Sequence, residues 1–282
     1  MGWLVFRSTP SDVLPDASPG SITPTPVEPG TSYPPSCQRT RPLTVLTFNI
    51  HHGARHGELR LDRIAHEIRA SRADVVALQE VDRHNGARSD DLDETTWLAR
   101  RLKMAGVFGA NRVRRPEVRG GPAREYGTAL LSRFPITTWR NVHLPNRPGL
   151  ERRGLLLVTL DVDGVAVTVG NTHLQHTSQP VRLAQLGAVM TRMSAIPHPR
   201  LLLGDLNDEP GTPPLALTKA VFTDPWPVVG HGDGKTVPPG HPRRRIDYTL
   251  ADDSFKATGS RVLVSAVSDH RAVRTTFRVC GS

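Results

Sequence analysis

Five short polar islands, each ending or following an apolar run, carry the residue types of a metal-assisted hydrolytic site. They are Thr47-Phe48-Asn49-Ile50-His51-His52-Gly53, Leu78-Gln79-Glu80-Val81-Asp82, Gly170-Asn171-Thr172-His173-Leu174, Gly204-Asp205-Leu206-Asn207, and Ser268-Asp269-His270 preceded by Arg245-Ile246-Asp247-Tyr248. Strands that run straight into Asn, Glu, Asp or His deliver those side chains to one edge of a sheet. Several such strands would gather oxygen ligands and imidazoles around one point, the arrangement needed for attack on phosphorus with help from a divalent cation.

The residues divide by chemistry. Mg²⁺ takes oxygen from one or two carboxylates, keeps water and leaves room for a substrate phosphate, so Glu80 with Asn49 and Asp269 is a suitable set, Mn²⁺ being able to substitute. Asp205 is placed to orient or deprotonate water, and Asn207 to donate to a phosphate oxygen. Asp247 could hold His270 in one tautomer and raise its pKa, with His173 on the other side of the scissile bond. Arg152 and Arg153 could supply a phosphate fork, and Arg153 is preferred. Taken singly each signal is weak: Glu80 also reads as a solvated strand terminus and Asn49 as a turn residue. His51, His52, His84 and His176 line or support the cleft without an assigned role.

Elements able to position these residues are legible around them. Residues 43–48 and 74–79 read as buried strands, and 61–71 as a helix with Leu61, Ile64, Ala65 and Ile68 on one face. Residues 94–104 read as a second helix, 127–132 and 136–143 as strands, and 154–161 with 165–172 as a hairpin. Ser178 caps a helix through Met193, with Pro180 tolerated in its first turn. Strands at 200–203, 246–250, 261–265 and 272–279 complete the second half. The Arg-rich stretch 112–124 reads as a basic loop. Strand pairs with no helix between them exclude a strict βαβ alternation and favour two packed mixed sheets with helices outside.

Composition bounds the partners. The chain of 282 residues has a formal charge of +9; residues 1–36 hold one Arg against three acids, leaving +11 on the remainder. A basic body suits nucleic acid or an anionic lipid surface, although only four of the 36 basic residues are Lys, a skew that a GC-rich genome also produces. Residues 8–36, rich in Pro, Ser, Thr and Gly, read as part of a disordered tether spanning 1–40, with the domain at 41–282. Cys37 and Cys280 bracket that domain and are expected to form a disulfide, which favours a secreted or cell-surface protein. The apolar Trp3–Phe6 run is too short for a signal sequence, and no run is long enough to cross a membrane.

Taken in order, Asn49, Glu80, His173, Asp205, Asn207, Asp247, Asp269 and His270 resemble the endonuclease/exonuclease/phosphatase superfamily, which includes DNase I-like nucleases and neutral sphingomyelinases. The resemblance covers roughly residues 42–279. It implies a four-layer α/β/β/α sandwich, DNase I-like, with the site at one end of the paired sheets. It also implies Mg²⁺ on Glu80 assisted by Asn49 and Asp269, with Asp205, Asn207 and the Asp247–His270 pair handling water and the transition state. Tyr126 and Glu125 fall where such proteins place a supporting Tyr or Glu. The Asn171–Gln175 stretch resembles the sphingomyelinase-type version, and Thr47–Gly53 with Arg133-Phe134-Pro135-Ile136 resembles a bacterial branch related to GPI-remodelling-associated domains. The expectation is a monomeric phosphoesterase acting on nucleic acid or a phospholipid headgroup. The alternative is a non-catalytic module binding a polyanion or membrane surface on the same fold.

Overall fold

Strand β1 (Pro42–Asn49) sets the pattern for the whole molecule. Leu43, Val45, Thr47 and Asn49 share one face, and Leu46 and Phe48 the other. Leu43 and Val45 enter the core between two sheets, whereas Leu46 and Phe48 pack under an outer helix pair. The computed structural model describes residues 42–279; the Pro-rich tether, Cys37 and Cys280 lie outside them.

One sheet is ordered β12 (Phe255–Val262), β13 (Val273–Val279), β1, β4 (Val75–Arg83), β6 (Arg124–Ser132) and β5 (Ala105–Arg114). The other is ordered β11 (Asp247–Ala251), β10 (Arg200–Asp205), β9 (Val165–His173), β8 (Gly154–Val162) and β7 (Ile136–His143). Each has one parallel pair, β1–β4 and β9–β10, among antiparallel neighbours. Helices α1 (Leu61–Ser71) and α2 (Glu94–Leu102) cover the first sheet, while α3 (Gln179–Ser194) and α4 (Pro213–Thr218) cover the second. This is the four-layer α/β/β/α sandwich the sequence led us to expect. A two-strand hairpin, β2 (Ala54–Arg55) with β3 (Glu58–Leu59), and the short helix α5 (Trp226–Val229) are additions. Among the described residues no helix is long and apolar enough to cross a membrane.

Local chemistry accounts for the helix ends. Asp93 caps α2 by accepting the Thr96 N–H at 2.9 Å. Lys103 and Arg72 then stop α2 and α1 in left-handed conformations.

Three boundaries differ from the sequence reading. β4 does not stop at Gln79 but continues to Arg83, with a bulge between Gln79 and Val81. Residues 105–114 form a strand, β5, where none was expected, and β6 begins at Arg124, so the basic loop shrinks to 115–123. The strand expected at 261–265 lies earlier, because Phe255 and Ala257 face the inter-sheet core across a bulge that breaks the alternation.

The inter-sheet face changes character along its length. Val45, Ala77, Val169 and Leu203 are apolar; beyond them, Thr47, Gln79 and Asn171 form a buried polar layer. Asn171 Nδ2 donates across the sheets to the carbonyls of Leu78 (2.9 Å) and Ala129 (2.8 Å), and its Oδ1 accepts Gln79 Nε2 at 2.8 Å. Asn171→Leu keeps the volume but strands these three partners in a dry layer, a cost of about 2–4 kcal/mol. The expected result is a melting temperature lower by on the order of 10 °C; a variant melting with the wild type would show that the layer holds the sheets by shape alone.

Candidate active site

Register brings the functional side chains together. Asp205, the last residue of β10, pairs directly with His173 on β9 and with Asp247 on β11. Directly opposed residues project from the same face, so all three point toward the other sheet, where Asn49 ends β1. Gly204 makes this close packing possible: its φ is +145°, and a Cβ there would lie 2.0 Å from the Thr172 carbonyl oxygen.

Asp205 is the hub. Its Oδ2 accepts Asn49 Nδ2 at 3.1 Å and faces Nε2 of His173 at 3.5 Å and of His270 at 3.7 Å. Its Oδ1 accepts the Asn207 N–H at 2.9 Å. On the far side of His270, Nδ1 donates to Asp247 Oδ2 at 2.9 Å, an oxygen that also accepts a short hydrogen bond from the Thr236 hydroxyl. Asp205, Asp247 and His270 are grouped closely enough to share an ion, while His270 is hydrogen-bonded to Asp247 and faces Asp205 at 3.7 Å. They form a relay.

Each ring has a definite proton state. Burial alone would lower His270, yet Asp247 and Asp205 raise it to about 10, so it is an imidazolium at neutral pH. His173 is held well below the ordinary value by burial and by the Arg153 charge. Arg153 Nη1 donates to His173 Nδ1 at 2.9 Å, and since Arg has only donors the His173 proton sits on Nε2, facing Asp205. Burial and the nearby Asp247 push Asp205 up to about 7.

Arg153 was expected to fork a phosphate. It is 3% exposed and committed to His173, to His176 Nδ1 at 3.3 Å and to Glu151 at 2.9 Å. Its part is to fix His173. Tyr126 hydrogen-bonds Arg153, and burial with Glu80 and Glu151 nearby pushes its phenol well above the usual range. One amide hydrogen of Asn207 goes to the Leu174 carbonyl at 3.0 Å. Its backbone, at φ +52°, turns the chain away after the carboxylate.

Glu80 is delivered by the bulge and not by a strand end. At φ +55° it interrupts the β4–β6 ladder and presents a half-exposed carboxylate. Its Oε1 accepts Asn49 Nδ2 at 3.1 Å, and its other oxygen has no hydrogen-bond partner among the described residues. Asn49 was expected to lend oxygen to a cation. Its Nδ2 instead bridges two carboxylates, while Oδ1 accepts the His51 N–H at 3.1 Å; acceptors on one side and a donor on the other fix that orientation. Asp269 is half-buried, its Oδ1 accepting Ser268 Oγ at 3.2 Å.

The sequence reading left His51 and His52 without a role. Both have φ of +47°, a conformation costing about 1–3 kcal/mol for a non-glycine residue. One nitrogen from each lies, with a Glu80 oxygen, within a mutual 4.8 Å. Burial and the charges of His51 and Arg88, against Asp82 and Asp269, lower His52 to about 4, so its ring is neutral at pH 7. A carboxylate with a free oxygen beside two imidazoles, that of His52 neutral, fits a divalent cation. His84 is half-buried, with Nδ1 donating to the Asp91 carbonyl at 2.8 Å.

Joined to Arg153 through Glu151 is a cavity of about 840 Å³, lined by Arg112, Arg114, Arg147, Arg152 and Glu151 among others. Glu151 pairs with Arg112 at 2.8 Å. Arg114, Arg147 and Arg152 have no acidic partner among the described residues.

The model for the Endonuclease/Exonuclease/phosphatase family matches residues 46–270. An endonuclease/exonuclease/phosphatase from Beutenbergia cavernae is 31% identical, with 86% of this chain and 72% of that one covered and a TM-score of 0.69. The mannosyl-6-phosphatase of Bacteroides thetaiotaomicron shares the fold at 16% identity, with 83% and 99% covered and a TM-score of 0.69. Truncated Caenorhabditis elegans TDP2 does so at 20% identity, with 84% and 98% covered and a TM-score of 0.63. No curated protein matches the chain.

Proposed function

Because the chain belongs to the endonuclease/exonuclease/phosphatase family, whose members are metal-dependent phosphoesterases, we propose that it hydrolyses a phosphodiester within a polyanion, nucleic acid above all. The arginine-lined cavity carries this reading. Three guanidinium groups without acidic partners beside the site exceed what one reacting phosphate needs, and they suit a substrate with further phosphates on either side.

Asp205 takes the proton of the attacking water, its raised pKa placing it near the working pH. Neutral His173 offers Nε2–H, and the His270 imidazolium a second donor, to phosphate oxygens as charge develops there. Asp247 and Thr236 hold His270, and Arg153 holds His173, so neither ring must reorganise during the reaction. A divalent cation on Glu80, Mg²⁺ or Mn²⁺, would neutralise phosphate charge and polarise the ester.

Combining Arg114→Ala, Arg147→Ala and Arg152→Ala tests the substrate class. With a divalent cation present, KM for an oligonucleotide should rise and its salt slope should fall by about 2–3. Turnover of a small chromogenic phosphodiester should be unchanged. An unaltered KM for the oligonucleotide, or hydrolysis confined to phospholipid vesicles, would refute the nucleic-acid assignment.

A further inference from the structure

The geometry points to His51 and His52 as ligands that join Glu80 in holding the cation, making this an imidazole-bearing centre that selects a first-row transition ion such as Mn²⁺ or Zn²⁺ over Mg²⁺. The inference rests on the phosphoesterase reading and specifies its metal.

Three observations support it independently of one another. First, the ligand atoms of His51, His52 and Glu80 converge within 4.8 Å, and all three residues are only partly buried, so an ion can enter. Second, His51 Nδ1 lies 3.1 Å from the Ala54 carbonyl, which can only accept, so this contact favours the tautomer with the proton on Nδ1 and the lone pair on Nε2. A backbone carbonyl orienting the non-ligating nitrogen is the usual support of a metal-bound His. Third, the backbone is left-handed at each of the three residues, with φ of +47°, +47° and +55°. None is glycine, and strain gathered at neighbouring side chains that face one another marks a functional constraint.

The neighbours agree. The Asn49 oxygen accepts the His51 N–H and so helps to position His51. Two imidazoles and one carboxylate form a softer set than Mg²⁺ prefers, and one that first-row transition ions accept.

The test uses the full-length protein freed of metal by chelation. Calorimetric titration should show Mn²⁺ binding at least tenfold more tightly than Mg²⁺. Pulsed electron paramagnetic resonance of the Mn²⁺ form should show ¹⁴N couplings from directly bound imidazole. His51→Ala and His52→Ala should each weaken Mn²⁺ binding at least tenfold and lose one coupling, with the fold checked by circular dichroism. Should an alanine variant not fold, His51→Asn and His52→Gln carry the same test. Mn²⁺ bound through oxygen alone, or couplings unchanged in the variants, overturns the inference. Phosphodiester turnover in Mg²⁺ that requires Glu80, without nitrogen coupling, would leave the phosphoesterase reading standing. Nitrogen coupling with no turnover of any phosphate ester would defeat that reading alone.

Discussion

Asp205→Asn should lower kcat by roughly 10²–10⁴-fold while leaving the protein folded. The expectation follows from comparing the three groups that meet at this point. His173 cannot serve as the base, because Arg153 occupies its Nδ1 lone pair and its Nε2 already bears hydrogen. His270 cannot either, since Asp247 keeps it protonated. Asp205 alone combines a free lone pair with a pKa near 7. The substitution is close to isosteric, and the Asn oxygen can still accept the Asn207 N–H. Its amide nitrogen then replaces Oδ2 opposite the Asn49 Nδ2 donor, a lost hydrogen bond set against the gain that follows. Burial and Asp247 raise Asp205 from 3.8 to about 7, so the folded state disfavours the carboxylate, and stability declines as pH rises between those values. A neutral amide removes that penalty. Steady-state rates and melting curves on one preparation decide the matter: a variant turning over within threefold of wild type would eliminate Asp205 as the base.

Much of this arrangement was legible in the sequence, for a physical reason. A strand buried on both faces is an uninterrupted apolar run, so a polar residue at its end stands out. That signal placed Asn49, His173 and Asp205, and the helical period placed α1 at its observed bounds. What escaped depends on backbone detail or on distant partners. The bulge at Glu80 leaves no mark, because a carboxylate after an apolar run looks the same at a strand end and at an interruption. Thr236 reaches Asp247 from a loop whose composition gives no hint of a target. Arg153 carries the right charge for a phosphate, and only its burial against His173 reveals the different task. The paired histidines were visible as residues, but nothing in their spacing tells of the left-handed turn that aims both rings at Glu80.

The dependence of activity on pH should expose the same relay from the other side. Activity should rise as Asp205 ionises near 7 and fall as His270 loses its proton near 10. A cation on Glu80 favours the Asp205 carboxylate and should move the first limb downward as metal is added. Asp247→Asn removes the charge that opposes burial at His270, so the alkaline limb should fall toward or below the ordinary imidazole value. The acid limb should fall as well, because Asp247 helps to raise Asp205, but at pH 8 His270 would have lost its proton and kcat should drop by roughly 10²-fold. Stability should respond in a matching sense. His270 titrates above its unfolded value of 6.5, so the pair contributes fully below 6.5 and is lost as pH rises toward 10. Wild-type melting temperature should therefore decline across that window, and the decline should flatten in Asp247→Asn. A merely structural Asp247 would lower the melting temperature at every pH and leave the limbs where they were. An alkaline limb that stays in place after Asp247→Asn would thus separate His270 from the chemistry.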